Sequence, residues 1–272
     1  MIQDIYPSKL DNAFRNVRPA KGDNVLIFDK DGNLFVRTDD EEITFTGCTQ
    51  AGDEEAVYLF SIDNKRYFLS LSKDSTEEAG FAPYPIRKIR DIGSGPGVFA
   101  AFTAYHLWKW YYNNHYCGSC ATLLVPDDKE RALRCGKCGR LIYPRINPAV
   151  IVGVINNDSL LITRYNRGYA HNALIAGFCE IGETLEQTVE REVMEEAGVK
   201  VKNIRYYKSQ PWGMAEDLLM GFYCDLDGDG TIHMDEGELK YAQWTRREEI
   251  ELQPGNLSLT NEMMRMFKES RI

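Results

Sequence analysis

Residues 177–199 read GFCEIGETLEQTVEREVMEEAGV, and this stretch predicts a loop followed by a helix. Glycine opens and closes its first six residues, at Gly177 and Gly182, and glycine is unfavourable inside a helix. Thr184 and Gln187 then have the spacing of a capping box, in which each side chain accepts a hydrogen bond from the backbone N–H of the other residue. We therefore expect the helix to begin directly after Thr184.

The helix that follows has one apolar face. Apolar side chains recur at every fourth position, which lays a single stripe along about three to four helical turns. The stripe consists of Leu185, Val189, Val193 and Ala197. Gly198 comes next and is placed to end the helix.

Outside that stripe, three glutamates stand three and four positions apart. Glu192, Glu195 and Glu196 should project side by side from the face opposite the stripe. Adjacent like charges cost a helix a few tenths of a kcal/mol per pair, and a bound cation would offset that cost. Carboxylate oxygens suit Mg²⁺ or Mn²⁺, which also take phosphate oxygens from a substrate. Glu183, in the preceding loop, can reach Arg191 and fix its side chain.

The same stretch resembles the Nudix box, GX5EX7REUXEEXGU with U an aliphatic residue, at all nine specified positions. These positions are Gly177, Glu183, Arg191, Glu192, Val193, Glu195, Glu196, Gly198 and Val199. The alternative is an amphipathic surface helix with an accidental glutamate cluster, which the fixed gaps disfavour. The resemblance implies a hydrolase of nucleoside diphosphates linked to another moiety. It also implies an α/β/α sandwich in which the box forms a loop, a helix and a loop.

Composition sets limits on the class of protein. The chain has 272 residues, 43% of them hydrophobic, and a net charge of −9. This length allows two modest domains with a real core. The negative charge argues against a general binder of phosphate backbones, although a metal can bring a polyphosphate into an acidic pocket. We find neither a signal-peptide pattern nor an apolar run of about 18 residues, so we expect a cytoplasmic protein without membrane contact.

Four of the seven cysteines form two CxxC pairs. Cys117 and Cys120 are separated by 14 residues from Cys135 and Cys138, a spacing typical of one tetrahedral zinc site. A redox dithiol is the alternative, and the presence of two pairs disfavours it. Four thiolates would close the zinc shell, so the zinc is expected to be structural. The remaining cysteines are expected in the core or as free thiols: Cys48, Cys179 and Cys224.

Hydrophobic periodicity divides the chain into three predicted domains, at residues 1–112, 113–144 and 145–272. The first contains short β-like runs with turns expected at Asp31-Gly32 and Asp63-Asn64, followed by a helical pattern over residues 99–112. Its expected strands are 25–28, 34–36, 57–60 and 67–71. The last domain is expected to carry strands at 150–155, 160–163, 204–207 and 218–224 and a helix at 254–268, and residues 174–176 lead into the box. The expected fold class is α/β (α+β): a Nudix α/β/α sandwich preceded by a zinc ribbon and a small N-terminal mixed-sheet domain.

This order of parts is similar to the NADH pyrophosphatase branch of Nudix hydrolases, which join an N-terminal domain, a four-cysteine zinc ribbon and a Nudix domain. The second signature of the branch is SQPWPFPxS. Ser209-Gln-Pro-Trp212 matches it before the pattern breaks. The loss of an aromatic residue and two prolines leaves less stacking surface and a less rigid loop, so the usual substrate is less well indicated than the branch.

The resemblance implies roles for individual residues. Glu192, Glu196 and Glu238 would bind the catalytic metal together with the backbone carbonyl of Ala176. Glu195 would be left to bind a metal or to act as the general base. A substrate-contacting tyrosine corresponds to Tyr143, and the implied substrate loop is Gln210, Pro211, Trp212, Gly213, Met214, Ala215, Glu216 and Asp217. Trp212 as a core residue and Glu238 as a surface acid remain open. A homodimer with shared sites is also implied.

The implied reaction is attack by water on one phosphorus of a P–O–P bridge, with Mg²⁺ or Mn²⁺ as cofactor. Glu195 first, or else Glu196, would accept the proton. NADH or NAD⁺ would give nicotinamide mononucleotide and AMP. Hydrolysis of ADP-ribose, of another dinucleotide or of the NAD cap of RNA stays open, as does a regulatory protein that keeps the fold without turnover.

Residues 225–236, DLDGDGTIHMDE, resemble an EF-hand calcium loop, with acids at positions 1, 3, 5 and 12 and glycine at position 6. An EF-hand needs a helix on each side, whereas both flanks have the pattern of strands. We therefore interpret Asp227-Gly-Asp-Gly230 as a hairpin turn between two strands of the Nudix sheet, with an adventitious calcium site as the alternative.

Overall fold

The computed structural model describes residues 1–39, 42–48, 55–72, 80–93, 95–166 and 170–272. Contacts divide the chain into two compact units. The C-terminal unit contains Met1 and residues 147–211 and 217–272, and the N-terminal unit contains residues 2–146 and 212–216. In the part of the chain described, no helix is long and apolar enough to cross a membrane. The finer division into three domains stays a prediction.

The N-terminal unit begins with two small sheets and two helices. Its strands are β1 (Leu10–Asp11), β2 (Asn24–Leu26), β3 (Asn33–Asp39), β4 (Glu42–Phe45), β5 (Ala56–Ile62), β6 (Lys65–Ser70) and β7 (Ala82–Pro85). Its helices are α1 (Ile86–Ile92) and α2 (Pro96–Asn113). One sheet has the order β1-β5-β6-β2 and the other β4-β3-β7. The predicted mixed sheet is confirmed, since β2 runs parallel to β6 and the other pairs are antiparallel.

The two turns of this unit that we predicted from their residue types are present in the structure. Ile62 pairs with Lys65, which leaves Asp63 and Asn64 as a two-residue hairpin turn, and Asp63 has a φ of 54°. The turn before β3 is closed by a hydrogen bond from the Gly32 N–H to the Asp29 carbonyl. Short polar residues tolerate these conformations, which is why local sequence revealed the turns.

The cysteine segment has its own small sheet. Its strands are β8 (Leu124–Pro126), β9 (Leu133–Cys135) and β10 (Leu141–Ile142), in the order β10-β9-β8. Helix α2 leads into this segment and buries Trp110, which packs with Cys117, Leu124, Leu133 and Cys135. The predicted helix over residues 99–112 is therefore confirmed, although it begins at Pro96.

The C-terminal unit is one mixed sheet between two helices. Its strands are β11 (Asn147–Asn156), β12 (Ser159–Tyr165), β13 (Ile175–Phe178), β14 (Val201–Trp212), β15 (Asp217–Leu226) and β16 (Leu239–Arg246). Its helices are α3 (Leu185–Ala197) and α4 (Leu259–Lys268), with a short 3₁₀ turn at Arg247–Glu249. The sheet order is β14-β15-β11-β12-β16, and β13 pairs with β11.

The central strand β11 shows why both faces of the sheet must be covered. Val150, Val152 and Val154 point into the core beneath α3. Ile151 lies on the other face, in a core that α4 completes. Side chains alternate across a strand, so a strand that is apolar at every position is buried on both sides. The predicted α/β/α sandwich is confirmed.

The calcium-loop region was only partly interpreted correctly from sequence. Strands flank it, as expected, and an EF-hand is thereby excluded. The hairpin prediction is wrong, because β15 pairs with β14 and β11 whereas β16 pairs with β12. Residues 227–238 therefore connect strands that are not neighbours. The predicted C-terminal helix also begins later than expected, at Leu259, because Ser258 caps it.

Candidate active site

Helix α3 begins and ends at the residues that local chemistry indicates. The Thr184 side chain accepts a hydrogen bond from the Gln187 N–H at 3.3 Å, and the Gln187 side chain accepts one from the Thr184 N–H at 2.9 Å. This reciprocal pair is the predicted capping box. Gly198 ends the helix in the left-handed conformation, with its N–H bonded to the Met194 carbonyl.

Arg191 lies at the centre of the acidic surface of α3 and forms hydrogen bonds with three carboxylates. Its Nε and Nη2 bind the two oxygens of Glu183, at 2.7 and 3.0 Å. Its Nη1 binds Glu192 at 2.7 Å and Glu195 at 3.1 Å, and Nη2 also binds the Phe178 carbonyl. Hydrogen bonds from Arg191 are the largest cause that lowers the pKa of Glu183 to about 2. One guanidinium therefore ties the loop to three carboxylates of the box.

Glu192 lies directly against the backbone of β13. A β-carbon built on Gly177 would stand 1.9 Å from the Glu192 carboxyl carbon, so only glycine leaves room for this carboxylate. Burial is the main cause that raises the pKa of Glu192, and Arg191 opposes it. The box glycine thus serves a close approach in addition to its role in the loop.

Glu196 is the most buried carboxylate of the box, with 2% of its surface exposed. Burial first, and then the nearby charge of Glu238, raise its pKa to about 8. The hydroxyl of Tyr165 lies 3.3 Å from both of its carboxylate oxygens. The nearby N–H of Ala176 opposes the increase, while its hydrogen bond goes to the Tyr165 hydroxyl at 3.1 Å.

The prediction that the three glutamates share the face opposite the apolar stripe is wrong for Glu196. Its side chain is buried beside the stripe, while the Glu195 side chain is 60% exposed. A helix advances 100° per residue, so positions 192 and 196 lie at the same edge of the buried stripe, position 196 inside it, whereas position 195 turns outward. The sequence pattern missed this difference because spacing alone does not show which edge of the helix the sheet covers.

Glu238 reaches this site from the connection before β16. Its backbone is fixed by hydrogen bonds rather than by a strand, since its carbonyl accepts the Asn166 N–H at 2.9 Å. Its charge contributes to raising the pKa values of both Glu192 and Glu196. Glu192, Glu196 and Glu238 are therefore close enough for their charges to interact, and their joint binding of a metal with the backbone carbonyl of Ala176 stays a prediction.

The four CxxC cysteines converge as predicted. Among the residues that the structure describes, theirs is the one group of three or more metal-ligating side chains with ligand atoms within 4.8 Å of one another. Cys117 Sγ lies 3.6 Å from Cys138 Sγ, and Cys120 Sγ lies 3.5 Å from Cys135 Sγ. Tetrahedral zinc with Zn–S bonds of about 2.3 Å requires edges of about 3.8 Å. Hydrogen bonds from backbone N–H groups, Cys138 foremost, lower the pKa of Cys135 to about 6, whereas against the Arg140 N–H the neighbouring Cys135 and Cys117 thiols raise the pKa of Cys138 to about 11.

The predicted substrate loop, residues 210–217, is only partly a loop, since it contains the end of β14, a turn and the first residue of β15. Gln210 is completely buried, and its amide donates to the Leu257 carbonyl and accepts from the Leu259 N–H, both at 2.7 Å. This side chain is therefore used to join β14 to the start of α4. Pro211 and Ala215 are exposed and Met214 is half-buried, so these positions remain open to a ligand.

Residues 212–216 group with helix α2 in the N-terminal unit. Trp212 packs on Phe102 with 5.6 Å between ring centroids. A β-carbon on Gly213 would lie 2.1 Å from the Phe102 carbonyl oxygen, which explains why the proline of the related motif does not fit here.

The acidic end of this loop is buried. Glu216 is 6% exposed and pairs with Lys109 at 2.7 Å and Arg145 at 3.3 Å. Asp217, which begins β15, is also buried. Both carboxylates are therefore buried inside the protein, and neither side chain faces solvent.

Tyr143 is 53% exposed, and its hydroxyl donates to Glu130 at 2.9 Å. That bond is the largest cause that raises the pKa of Tyr143. The ring is accessible to a ligand, and its predicted role stays a prediction.

Comparison with known proteins shows what the chain is similar to. Residues 145–266 match the model of the NUDIX domain. A protein from Enterobacter sp. named NAD-capped RNA hydrolase NudC is 41% identical over 171 residues, 62% of this chain and 65% of that protein. A protein of the same name from Shigella dysenteriae is 40% identical over 172 residues, with the same coverage of 62% and 65%. The alignment thus spans just under two thirds of each relative.

The Nudix fold is also seen in a solved structure. The crystal structure of a NUDIX hydrolase from Nitrosomonas europaea superposes with a TM-score of 0.51 at 21% identity, covering 57% of this chain and 91% of that one. At this identity the likeness concerns the fold.

The residues of the Nudix domain fit a hard divalent cation. Glu196 and Glu192 are carboxylates whose ionised forms are disfavoured by burial, and Arg191 neutralises only the second. Glu238 lies near enough for its charge to raise the pKa of Glu196, and in the described part of the chain the ion pairs of Arg191 reach Glu183, Glu192 and Glu195 but not Glu196. Hard oxygen donors in such an arrangement suit Mg²⁺ or Mn²⁺. Among the described residues, the oxygens of these carboxylates do not all lie within 4.8 Å of one another, and Arg191 binds Glu192 and Glu195.

Proposed function

We propose that this chain hydrolyses the pyrophosphate bond of a dinucleotide, with NADH and NAD⁺ as the foremost substrates and nicotinamide mononucleotide and AMP as products. The observation that carries the proposal is the buried Glu196 carboxylate, which faces Glu238 and the backbone of Ala176 in a Nudix domain. A buried acid facing a second acid is costly unless a cation or a proton balances it. Perturbed carboxylates of this kind are typical of catalytic sites.

Each residue of the site has a proposed role. Glu192, Glu196 and Glu238 would hold Mg²⁺ or Mn²⁺ with the carbonyl of Ala176. When bound, such an ion neutralises charge on the phosphate oxygens and lowers the pKa of a bound water. Glu195 would accept the proton from the attacking water, with Glu196 as the alternative, because the Glu195 side chain is largely exposed.

Arg191 and Glu183 would act on the carboxylates rather than on the substrate. Arg191 carries hydrogen bonds to Glu183, Glu192 and Glu195. It therefore holds the box loop against α3 and sets the direction of both outer glutamates. Hydrogen bonds between charged partners are shorter and stronger than neutral ones, which suits a residue that orients ligands.

The substrate would be held by residues outside the box. We assign Tyr143, Pro211, Trp212, Met214 and Ala215 to this role and place Gln210, Gly213, Glu216 and Asp217 in its support, since the latter side chains are buried or absent. The names of the aligned relatives make NAD-capped RNA a second candidate substrate. ADP-ribose and other nucleoside diphosphate derivatives are further candidates.

We also propose structural zinc at Cys117, Cys120, Cys135 and Cys138, a homodimer and a cytoplasmic location. The zinc is supported by the near-tetrahedral sulfur spacing. The dimer comes from the resemblance to the NADH pyrophosphatase branch, and the location is carried over from the sequence-based expectation.

Product analysis tests the proposal. Full-length protein with Mg²⁺ or Mn²⁺ is incubated with NADH, NAD⁺, ADP-ribose, a diadenosine polyphosphate and NAD-capped RNA, and the products are separated. We expect nicotinamide mononucleotide and AMP from NADH. Glu192→Gln and Glu196→Gln should each lower kcat by about 100-fold or more, because an amide is a poor ligand for a hard cation.

Glu190→Gln is the matched control, since Glu190 is an exposed residue of the same helix, and it should leave kcat unchanged. Near-normal turnover of either test variant at saturating Mg²⁺ would contradict the placement of the metal. A wild-type protein that binds these nucleotides and hydrolyses none of them would instead support the regulatory alternative.

A further inference from the structure

Two adjacent residues at the end of β12 contact both halves of the carboxylate site. Strands β12 and β16 pair regularly from Ser159 to Arg164, and the register then shifts so that Tyr165 lies opposite Leu239. The shift leaves Lys240 as an extra residue in β16. Bulges of this kind bend a strand and redirect its side chains, and they are frequent next to active sites.

Tyr165 faces α3 from this bulge. Its hydroxyl accepts a hydrogen bond from the Ala176 N–H at 3.1 Å and lies 3.3 Å from both oxygens of Glu196. The Leu174 carbonyl is slightly farther, at 3.4 Å. A phenol has one proton to donate. With the Ala176 N–H as its donor, the hydroxyl directs that proton to the carboxylate of Glu196, the nearest acceptor.

Asn166 points to the other side of the site. Its backbone N–H donates to the Glu238 carbonyl at 2.9 Å. Its side-chain amide donates to the Glu236 carbonyl at 2.9 Å and to the Leu239 carbonyl at 3.1 Å. Three hydrogen bonds from one residue thus hold the backbone on both sides of Glu238. This matters because residue 238 lies in a connection, outside the β16 ladder.

We propose that Tyr165 and Asn166 are positioning residues that fix Glu196 and Glu238 relative to each other for binding of a divalent cation. Tyr165 sets the direction of the Glu196 carboxylate, and Asn166 sets the backbone from which the Glu238 side chain extends. Tyr165 is the last residue of β12 and Asn166 follows it directly, so one peptide unit joins the two residues that hold Glu196 and Glu238. The inference rests on the proposed metal-dependent hydrolysis.

The burial of Glu196 makes the hydrogen bond from Tyr165 more important than a hydrogen bond at an exposed site. Glu196 is 2% exposed, so water cannot replace a lost phenol donor. Ligating carboxylates in metal sites are in turn hydrogen-bonded, and removal of such an outer partner typically lowers metal affinity by about 10- to 100-fold. Neither residue belongs to the Nudix box, and no local pattern marks them, because the register shift arises from strand pairing.

Binding of Mn²⁺ without substrate tests the inference. The dissociation constant is measured by calorimetry and by electron paramagnetic resonance of free Mn²⁺ for wild type, Tyr165→Phe and Asn166→Ala. We expect each variant to bind Mn²⁺ about 10- to 100-fold more weakly. At saturating Mn²⁺, kcat for the best substrate should return to within a few-fold of wild type, since the ligands themselves remain.

Tyr206→Phe and Asn256→Ala are the matched controls, as both side chains are exposed, and both should bind Mn²⁺ normally. If Tyr165→Phe does not fold, Asn166→Ala still decides the matter through Glu238. Wild-type affinity in both test variants would overturn the inference and leave the proposed function standing. Failure of the wild type itself to bind Mn²⁺ would overturn the proposed function, and the inference with it.

Discussion

Gly177 and Glu192 occupy adjoining positions that leave no space for another atom, since a β-carbon on Gly177 would lie 1.9 Å from the carboxyl carbon of Glu192. Real β-carbons do not approach other atoms so closely. Any other residue at position 177 must therefore displace the Glu192 side chain or the backbone of β13. The glycine of the Nudix box is thus coupled to the first glutamate of its helix by contact as well as by sequence spacing.

We expect Gly177→Ala to lower kcat by at least about 10-fold while the protein still folds, because the Glu192 carboxylate is displaced from the backbone at Ala176. A misplacement of about 1 Å in a catalytic group can cost about 100-fold in rate. The measurement is kcat and KM for the substrate identified by product analysis, with circular dichroism to check folding.

Gly47→Ala is the control for this substitution, since a β-carbon at Gly47 would meet no atom within 4 Å. It should leave both constants unchanged. Unaltered turnover of Gly177→Ala would show that the Glu192 carboxylate acts from another position than the one seen here.

Much of α3 could be predicted from sequence because its signals are local. The capping box, the glycine stop and the apolar stripe depend on residues at most four positions apart. The cysteine quartet was predictable for the same reason, because each CxxC is a tight turn. The sandwich as a whole came from the resemblance, since no local pattern specifies that β11 runs parallel to β15.

The parts that sequence did not give depend on pairing between distant segments. Asp227 and Gly230 have residue types typical of a hairpin turn. The strands on either side of them, β15 and β16, are not neighbours, because β11 and β12 lie between them in the sheet. Gln210 belongs to a recognisable motif, yet its side-chain amide forms hydrogen bonds with the backbone of Leu257 and Leu259. The role of Tyr165 likewise depends on the register shift opposite β16.

Stability in acid should report the Glu183–Arg191 pair. The pKa of Glu183 is lowered to about 2 from its ordinary value of 4.5, mainly by hydrogen bonds from Arg191 and then by the Glu180 N–H. A carboxyl with a depressed folded-state pKa stabilises the protein fully above its unfolded value, and the contribution is lost as the pH falls through the folded value. We therefore expect Glu183→Gln to lower the unfolding temperature at pH 6.

The difference between Glu183→Gln and wild type should shrink as the pH falls below 4.5 and should vanish near pH 2. The measurement is the midpoint of thermal unfolding by circular dichroism at several pH values. Glu190→Gln serves as the control and should follow wild type throughout. A difference that stays constant from pH 6 to pH 2 would mean that the pair does not shift this titration.

Removal of one zinc ligand should damage folding before it alters chemistry. We expect one zinc per chain in the wild type and less in Cys135→Ser, with lower solubility or a lower unfolding temperature. Metal binding and folding are coupled in such sites, and Cys135 is completely buried in the core of its segment. Zinc content is measured by elemental analysis, and free thiols are titrated.

Cys179→Ser is the control, because Cys179 lies outside the sulfur cluster. It should retain full zinc content. Metal-free wild-type protein of equal stability, with all four cluster thiols open to titration, would disprove a structural zinc site.

The loop that resembles an EF-hand should not bind calcium tightly, because three of its four acids at EF-hand positions already have partners. Asp225 is held by Arg205 at 2.8 Å and by Asn203 at 2.9 Å, and Arg205 is the main cause that lowers its pKa. Asp227 accepts from Lys202 at 2.9 Å. Asp229 accepts from the Thr231 N–H at 3.1 Å. A calcium ion needs six to eight oxygens around one point, and these carboxylates point to separate partners.

Micromolar Ca²⁺ should therefore neither bind tightly nor activate hydrolysis, and a calorimetric titration should detect no sub-micromolar site. The double variant Asp225→Asn and Asp229→Asn should keep Mg²⁺-dependent activity within a few-fold of wild type, since Glu192, Glu196 and Glu238 remain. Tight Ca²⁺ binding that disappears in the double variant would contradict this prediction. It would mean that the ion pair between Asp225 and Arg205 opens to release the carboxylate, which a parallel titration of Arg205→Gln would reveal as still tighter binding.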